Sequence, residues 1–527
     1  MHRIGLDFGT TNSILSYHDA ESGMLRCFHH AAGDTDYVPS VIAYEMRRGT
    51  PSILIGKAAR LLGEGAENVC GHFKLRLGKE FDTPLPGKQK SAHEAAADYI
   101  RELLDAYRAA GHPIDGMVLT IPDAWFRGQS HLSSREHLRQ ILAEIGFPKE
   151  HYTFQSEPVA AAAYFCRQWE ALRQTPYQGK LLVIDYGGGT LDVTLCQISD
   201  SGKTIRTLDN YGTGTEEGSA ENGCAGSAFL SRAVELVCAE HSISPDARGF
   251  ALACMELEEH LTSRKSAVDE LMEEYEISPE DAEDETLFTL SRLGDCAVCC
   301  RHLYRAFQEI NAPALQHALQ QINGADAFDL DTTKIIFVGG FCNFYCVTSV
   351  VRSFFHSRMG TADPRFPEIF SNENRALAIA KGAALLADGM QIVEAVFPYE
   401  VGLIAARPDA DDPERSRSVQ LPLIQKLAKT ELYADPVFLP EKLTVIPRAP
   451  LFLQLYRTVN EQTAVFRLQD ANALRQIFPP SDYPQAFEIG LSVDDDLIPT
   501  LHTRDAAGTI RCISLSRLLD AQNEVRA

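Results

Sequence analysis

The feature that most constrains the fold of this chain is a strand-and-turn pattern that occurs twice. The first copy, Ile4–Ser13, and the second, Leu182–Asp192, each consist of an apolar strand that ends in aspartate and continues into a turn rich in glycine and hydroxyl residues. Asp7 and Asp185 occupy the same place in the two copies. This internal repeat predicts two lobes that are related by duplication and face each other across a cleft.

The residue types in the two turns suit the binding of a metal-bound polyphosphate. Glycine lets backbone amides approach phosphate oxygens with no Cβ in the way, while threonine and asparagine add side-chain donors. Two aspartates, one from each copy, can hold a hydrated magnesium ion. One copy alone would more simply be a tight hairpin with a capping aspartate, but two matching copies favour the phosphate site. The sequence contains no G-x-x-x-x-G-K-[ST] segment, so the predicted site is not a P-loop.

The chain changes character near Glu394. Up to about Met390, predicted strands alternate with amphipathic helices, which is typical of an α/β fold, and beyond it short alternating runs predict an all-β module. The predicted strands of the first part are Arg3–Leu6, Gly116–Thr120, Lys180–Ile184, Leu191–Gln197 and Lys334–Val338. Its predicted helices are Ala92–Ala110, Ser134–Glu144, Pro158–Trp169, Gly226–His241 and Arg375–Leu386. The predicted strands of the second part are Phe452–Tyr456, Ala464–Leu468, Phe487–Ser492 and Ile510–Leu515.

Composition restricts the possible partners and location. The chain carries 72 acidic and 49 basic residues, a net charge of −23, which argues against a nucleic-acid partner because phosphate backbones need a basic surface. No apolar run approaches the ~18 residues of a membrane span, so we expect no membrane association. The N-terminus has no signal-peptide pattern and the 13 cysteines are scattered, which together predict a reduced, cytoplasmic setting.

Several segments resemble the nucleotide-binding domain of the heat-shock protein 70 (DnaK-type) family, within the actin and sugar-kinase superfamily. Besides the two turns, Phe154–Ala162 and Asn374–Leu386 look like the family's connecting helices, Ile335–Gly340 looks like its adenosine motif, and His72–Gly78 looks like its lysine segment. The resemblance implies a two-lobed, actin-like ATPase domain of duplicated ribonuclease-H-like type, followed by a small all-β sandwich.

The resemblance also implies a division of the chain into four parts. Residues 1–390 would form the nucleotide-binding domain, 391–400 an interdomain linker, 401–517 the substrate-binding-like sandwich, and 518–527 a short tail without a helical lid. The implied activity is slow hydrolysis of ATP to ADP and phosphate by a lidless, divergent molecular chaperone. Its implied partner is an unfolded or extended polypeptide, or a dedicated protein client.

Carried over residue by residue, the resemblance assigns roles in an ATP or ADP site with Mg2+. Asp7 and Asp185 would hold the magnesium through water, Lys74 would contact the γ-phosphate, Glu157 would orient the attacking water, and Thr190 would donate to the γ-phosphate. The other implied nucleotide contacts are Gly9, Thr10, Thr11, Asn12, Gly187, Gly188, Gly189, Gly226, Gly339, Gly340 and Phe341. Further along, Pro122 fits the family's proline switch and Arg135 its relay arginine.

Two departures from the family pattern bear on ligands and partners. Phe341 and Asn343 stand where the family has a small hydroxyl residue and an arginine, and the helix expected near Glu256–Ser263 has no lysine in register. Thr153 and Ser156 replace the family's arginine and asparagine, which argues against dependence on a conventional J-domain partner.

Three functions therefore remain open. The first is an ATP-driven chaperone, which the all-β module favours. The second is a nucleotide-gated scaffold or actin-like protein with little turnover, which the altered adenosine motif favours. The third is a sugar-kinase-like phosphotransferase, which leaves the all-β module without a role.

Overall fold

The structure is a computed structural model that describes residues 2–19, 22–33, 36–47, 49–63, 66–77, 84–85, 87–127, 132–213, 224–283, 285–408, 416–447, 452–459, 462–468 and 471–515. The predicted tail, 518–527, lies outside these residues. The chain is a mixed α/β protein with several sheets. It divides into a first unit, Met1–Ala124 with Arg139–Val393, and a second unit, Trp125–Leu138 with Glu394–Ala527.

The elements are numbered along the chain. The strands up to the unit boundary are β1 (Arg3–Phe8), β2 (Asn12–His18), β3 (Leu25–Cys27), β4 (Val38–Pro39), β5 (Val41–Arg47), β6 (Thr50–Ile55), β7 (Val69–Gly71), β8 (Gly116–Ile121), β9 (Tyr152–Ser156), β10 (Gly179–Tyr186), β11 (Leu191–Ser199), β12 (Thr204–Thr213), β13 (Thr286–Leu290), β14 (Cys296–Cys299), β15 (Thr333–Val338) and β16 (Ile392–Glu394). The strands of the second unit are β17 (Glu400–Pro408), β18 (Ser416–Ile424), β19 (Val437–Val445), β20 (Leu453–Val459), β21 (Gln462–Leu468), β22 (Gln485–Val493), β23 (Pro499–Arg504) and β24 (Ile510–Ser514). The helices are α1 (Gly56–Arg60), α2 (Ala92–Ala109), α3 (Asp123–Arg127), α4 (Leu132–Glu144), α5 (Glu157–Arg173), α6 (Gly226–His241), α7 (Ala247–Ser263), α8 (Lys265–Ile277), α9 (Pro279–Ala282), α10 (Cys300–Ile310), α11 (Ala312–Asn323), α12 (Tyr345–Phe354), α13 (Asn372–Ala387) and α14 (Ala471–Ile477).

Two main sheets of the first unit repeat one pairing pattern. A six-stranded sheet has the order β3-β2-β1-β8-β9 with β4 against β2, and a five-stranded sheet has the order β15-β10-β11-β12-β16. In both, the strand that carries the aspartate lies between an antiparallel hairpin partner and a parallel neighbour: β1 between β2 and β8, and β10 between β11 and β15. The sequence repeat therefore corresponds to a repeat in strand pairing.

Helices α5 and α13 pack against each other through small residues. A Cβ on Gly382 of α13 would collide with the carbonyl of Ala160 in α5, and a Cβ on Gly5 of β1 would collide with the backbone of Ala384. Such close approach is possible because alanine and glycine occupy the contact. The pair of helices buries a core shared with β10 and β11, including Leu181 and Val183.

The second unit contains two four-stranded antiparallel sheets, with the orders β18-β17-β20-β21 and β19-β22-β23-β24. Alternate residues of both sheets enter one apolar core, among them Leu403, Leu455 and Leu491. Alternation of apolar and polar residues is what a half-buried strand requires. The terminal hairpin that the sequence predicts within Leu501–Leu515 is confirmed, since β23 pairs antiparallel with β24.

One segment of the second unit comes from the middle of the chain. Trp125 and Phe126 are largely buried, and Arg135 is fully buried with its guanidinium 5.2 Å from the Phe126 ring. Nη1 of Arg135 donates to the carbonyl oxygen of Asp496. Nothing in the local sequence pattern separates this segment from the α/β part, and we did not predict its grouping.

Among the described residues, no helix is long and apolar enough to cross a membrane.

Candidate functional site

Asp7 and Asp185 lie at equivalent positions of the two similarly paired strands. Asp7 lies opposite Thr120 of the parallel neighbour β8. Asp185 lies opposite Asp192 of the hairpin partner β11. Each aspartate comes one residue before its strand ends, so each side chain stands where the chain leaves its sheet for the glycine turn.

Hydrogen bonds fix the backbone of both turns. In the first, Ser40 Oγ donates to the carbonyl oxygen of Gly9 at 2.7 Å, and Ser40 N donates to that of Thr11 at 2.8 Å. In the second, Gly187 N donates to the carbonyl oxygen of Thr190 at 3.1 Å. Both turns are therefore held in shape by the protein itself, which is the preorganisation that an anion-binding loop needs.

The two turns face each other closely. A Cβ on Gly188 would collide with Thr11 Oγ1, and a Cβ on Gly189 would lie 2.5 Å from Thr10 Oγ1. Thr11 Oγ1 is buried and has no hydrogen-bond partner among the described residues. Glycine in the second turn is thus required by the approach of the first turn, and a buried donor is left available between them.

Four buried carboxylates and one buried lysine surround the turns. The acidic cluster consists of Asp7, Glu157, Asp185 and Asp192, whose exposed fractions range from 0% to 7%. Lys74, 2% exposed, donates from Nζ to Glu157 Oε1 at 2.9 Å. Buried charges are normally paired, and one ammonium is too little positive charge for four carboxylates.

The pKa values express this shortage of positive charge. Burial, followed by the negative charge of Glu157, raises the pKa of Asp7 to about 7, against the opposing effect of Lys74. Burial raises the pKa of Asp185 well above its usual range, and the charges of Glu157, Asp192 and Asp7 raise it further. Asp185 Oδ2 is buried and has no hydrogen-bond partner among the described residues. A cation would relieve all of these interactions at once.

The residues present fit a hydrated magnesium ion better than a protein-enclosed metal. In the part of the chain that the structure describes, no three His, Cys, Asp or Glu side chains converge to hold a metal directly. Magnesium keeps several waters and is commonly held by one or two carboxylates together with substrate phosphates. Asp7 and Asp185 supply that kind of ligand.

Glycines from two other parts of the chain lie next to the second turn and the acidic cluster. Gly226 N donates to the carbonyl oxygen of Gly187 at 3.1 Å, which attaches the start of α6 to the second turn. Gly339, with φ +83°, follows β15, and a Cβ there would lie 2.6 Å from Asp185 Oδ1. Gly340 is exposed beside it. These glycines therefore border the acidic cluster on the side of the five-stranded sheet.

Phe341 is fixed by an aromatic cluster next to Gly226. Its ring lies edge-on to Tyr186 at 5.0 Å, tilted against Phe229 at 5.1 Å and stacked on Phe344 at 5.8 Å. A Cβ on Gly226 would lie 3.2 Å from Phe341 Cβ. The half-buried Phe341 is thus a rigid apolar wall beside the glycine contact.

The structure places most of the predicted residues in one region. Lys74, Glu157, Asp7 and Asp185 form one electrostatic group, and Gly226 and Gly339 border it. The hydrogen bond described for Thr190 lies within its own turn, and Asn12 pairs with Pro39 at the start of β2.

Sequence reasoning missed two contributors to this region. Asp192 stands inside the repeated motif, but only its position opposite Asp185 reveals its part in the acidic cluster. Lys265 of α8 donates to the carbonyl oxygen of Asn343 at 2.5 Å, so α8 is the helix that contacts the turn after Gly340. Glu256, in the segment where we expected that helix, instead accepts hydrogen bonds from Ser291 and Arg292.

The fold and the site thus define an α/β protein with an acidic cluster bordered by glycine turns, and comparison with known proteins is in line with the resemblance noted above. No family model matches the chain. It is 24% identical over 447 residues to the chaperone protein DnaK of Thermotoga neapolitana, and the aligned region covers 82% of this chain and 67% of the relative. It is 30% identical over 199 residues to the DnaK of Thermosipho africanus (37% of this chain, 30% of the relative) and 28% identical over 210 residues to that of Mycoplasma mobile (40% and 31%). This weak similarity over most of the chain supports a heat-shock protein 70-like family.

Proposed function

We propose that this protein binds and hydrolyses Mg-ATP between the Asp7 and Asp185 turns and uses the nucleotide state to control polypeptide binding by its C-terminal part. The observation that carries the proposal is the buried acidic cluster between two preorganised glycine turns, with Lys74 as its single described cation. Such a cluster is costly in a folded protein unless a ligand compensates it.

The proposed roles follow from the positions of the side chains. Asp7 and Asp185 would accept hydrogen bonds from the waters of a magnesium ion, which would neutralise the phosphate charge. Lys74 lies ready to donate to a terminal phosphate oxygen as charge develops there. Glu157, at the start of α5, would then accept a hydrogen bond from the attacking water and orient it.

The proposed domain plan is a two-lobed, actin-like domain over residues 1–390, a linker over 391–400 and a β-sandwich over 401–517. The six-stranded and five-stranded sheets support the two lobes, and the core common to the two sheets of the second unit supports a sandwich. An exposed sheet edge in such a sandwich can bind an extended peptide through main-chain hydrogen bonds.

Two connections support coupling between nucleotide and peptide. Ile392 N donates to the carbonyl oxygen of Lys203 at 2.7 Å, so the proposed linker begins as an edge strand of the five-stranded sheet. The segment that follows Pro122 passes into the second unit, where Arg135 is bound to Asp496. Both connections start from sheets that carry the proposed nucleotide site.

A nucleotide-gated scaffold with little turnover is the second candidate. The ion pair between Lys74 and Glu157 favours it, because each of the two groups that the proposed hydrolysis requires already uses part of its hydrogen-bonding capacity on the other.

Turnover and peptide binding distinguish these candidates. Mg-ADP and Mg-ATP should raise the melting temperature, and Asp7→Asn, Asp185→Asn or Lys74→Ala should abolish phosphate release while the chain stays folded. Lys334→Ala, which removes only a surface bond to the carbonyl of Pro364, should leave release unchanged.

Fluorescence anisotropy of a labelled apolar heptapeptide in ATP and in ADP tests the second half of the proposal. Affinity that depends on the nucleotide supports the chaperone. Nucleotide binding without peptide binding in either state supports the scaffold, and wild-type turnover in all three site variants would remove the proposed roles.

A further inference from the structure

The end of β8 and the first residue of α3 together make hydrogen bonds to both main sheets of the first unit. Thr120 Oγ1 donates to Asp7 Oδ1 at 3.1 Å, within the six-stranded sheet to which β8 belongs. Three residues later, Asp123 Oδ2 accepts from Thr194 Oγ1 and, at 3.2 Å, from Asn210 Nδ2. Thr194 lies in β11 and Asn210 in β12, both in the five-stranded sheet. Asp123 therefore links the two sheets.

This link is buried. Asp123 is 2% exposed, Thr194 is fully buried and Asn210 is 6% exposed. A carboxylate in such a place requires its hydrogen bonds, because bonds to a charged acceptor are stronger than neutral ones and leaving the charge unpaired is costly. The link therefore depends on the distance between the sheets, because it forms only while Thr194 and Asn210 lie within hydrogen-bond distance of the Asp123 carboxylate.

The link is also close to the acidic cluster on both sides. Thr194 is two residues from Asp192 on the same strand, and Asp192 lies opposite Asp185. Of the two residues between Thr120 and Asp123, Pro122 has a fixed φ, which limits how far Thr120 and Asp123 can move relative to each other. Displacement of β11 from β8 would therefore move Asp185 away from Asp7.

The charges of the cluster act against closure. Carboxylates from both sheets face each other, Asp7 and Glu157 from one side and Asp185 and Asp192 from the other. Burial raises the pKa of Asp185, and the charges of Glu157 and Asp7 from the opposite side raise it further. Lys74 offsets only part of this rise in pKa. Some attractive contact between the sheets must hold them together, and the bonds of Asp123 are of this kind.

We propose that Asp123 is a positioning residue that holds the two sheets in the arrangement in which Asp7 and Asp185 face each other, and that it thereby slows nucleotide release. The first part stands on hydrogen-bond geometry alone, whereas the second rests on the proposed nucleotide binding. In the described part of the chain, the hydrogen-bond partners of Asp123 are Thr194 and Asn210, neither of which is a proposed nucleotide contact, so Asp123 acts through the spacing of the sheets.

The test compares variants that break the link with one that breaks a similar bond elsewhere. Asp123→Ala removes the link, Thr194→Val removes one of its two hydrogen bonds, and Asp123→Asn keeps one acceptor oxygen. Ser349→Ala is the matched control, because Ser349 is buried and donates its hydroxyl to the carboxylate of Glu276, away from β8. Melting temperatures of all variants establish that each is folded and how much stability each loses.

The spacing of the sheets is measured without nucleotide by electron–electron double resonance. Spin labels are attached to p-acetylphenylalanine at the exposed positions Glu150 and Gln178, near β9 and β10, since 13 cysteines exclude thiol labelling. We expect the distance distribution to be broader and its mean longer than in wild type for Asp123→Ala and Thr194→Val. Asp123→Asn should show a smaller change, and Ser349→Ala should show the wild-type distribution. A wild-type distribution in Asp123→Ala and Thr194→Val would overturn the proposal.

Release of a fluorescent ADP analogue tests the consequence. We expect release from Asp123→Ala to be roughly tenfold faster than from wild type, equivalent to about 1.4 kcal/mol of closure free energy. The double variant Asp123→Ala/Thr194→Val should be no faster than Asp123→Ala alone, because Asp123→Ala already removes the bond that Thr194 makes. Release at the wild-type rate, or equal acceleration in Ser349→Ala, would overturn control by Asp123. If wild type binds no ADP, the nucleotide proposal fails, and the spacing experiment still decides the link.

Discussion

Buried ionisable side chains serve two different purposes in this molecule. In the acidic cluster, burial and then neighbouring carboxylates raise the pKa values of Asp7 and Asp185, so both effects oppose ionisation of these side chains. Asp185 Oδ2 has no hydrogen-bond partner in the described part of the chain. A bound cationic ligand can offset the unfavourable free energy of burying these carboxylates, and for this reason the cluster indicates a functional site.

His502 of β23 is buried for structural reasons and provides a pH test. Its Nε2 lies 2.8 Å from Ser492 Oγ, and burial lowers its pKa from 6.5. Because the unfolded chain binds the proton more tightly, stability is fully present above about pH 6.5 and falls as pH decreases from 6.5 toward the lowered pKa, by at most about 1.4 kcal/mol per pH unit. Urea unfolding of wild type and His502→Gln at pH 7.5 and 5.5 should show a smaller pH effect in the variant.

His317→Gln is the control for this experiment, because it makes the same substitution at an exposed histidine on α11. Identical pH dependence in wild type and His502→Gln would contradict the assignment.

The contact of α5 with α13 shows how one residue type determines the packing of whole elements. In Gly382→Ala the added methyl group would meet the carbonyl of Ala160, so the two helices must move apart. We expect a loss of about 1–3 kcal/mol in the free energy of unfolding, which is typical of overpacking, measured by urea denaturation. In Gly324→Ala, at the end of α11, the new Cβ meets its first neighbour at an ordinary 3.5 Å. That variant should be as stable as wild type, and an equal loss in both would mean that the helix contact is not responsible.

At the level of elements, local patterns predicted most of what the structure contains. Helix α6 runs over Gly226–His241 as predicted, and β1, β8, β10, β11 and β15 lie within three residues of their predicted bounds at each end. Apolar periodicity determines these elements, and it is visible in the sequence. The sheet of β5, β6 and β7 was not predicted, because its short strands alternate weakly and are stabilised by one another.

The candidate site divides in the same way. The glycine turns and their aspartates could be predicted, because the residues that form each of them are consecutive in the sequence. Lys265 and Asp123 could not, because each acts through a partner far away in sequence, the carbonyl of Asn343 and the hydroxyl of Thr194. Contacts of this kind depend on how helices and sheets pack, and a single sequence carries no local signal for them.

At the scale of the whole molecule, the unit boundary does not follow the order of the chain. Trp125–Leu138 groups with Glu394–Ala527, although residues on both sides of it belong to the first unit. Within the second unit, Arg135 has no exposed surface and is bound to Asp496. Burial raises the pKa of Tyr399, and the nearby charge of Arg135 opposes that rise in pKa. Removing the C-terminal part should therefore disturb a segment in the middle of the sequence.

A fragment of residues 1–393 tests this dependence through trypsin cleavage. In the full chain, cleavage after Arg135 should be slow, because a buried residue becomes a substrate only after local unfolding. In the fragment, Arg135 loses Asp496 and Tyr399 together, and we expect cleavage there to be at least about tenfold faster, the change that corresponds to about 1.4 kcal/mol in the local opening equilibrium. Arg173, exposed at the end of α5, serves as the internal control and should be cut at the same rate in both. Equal protection of Arg135 in the fragment and the full chain would show that Trp125–Leu138 is stabilised by the first unit instead.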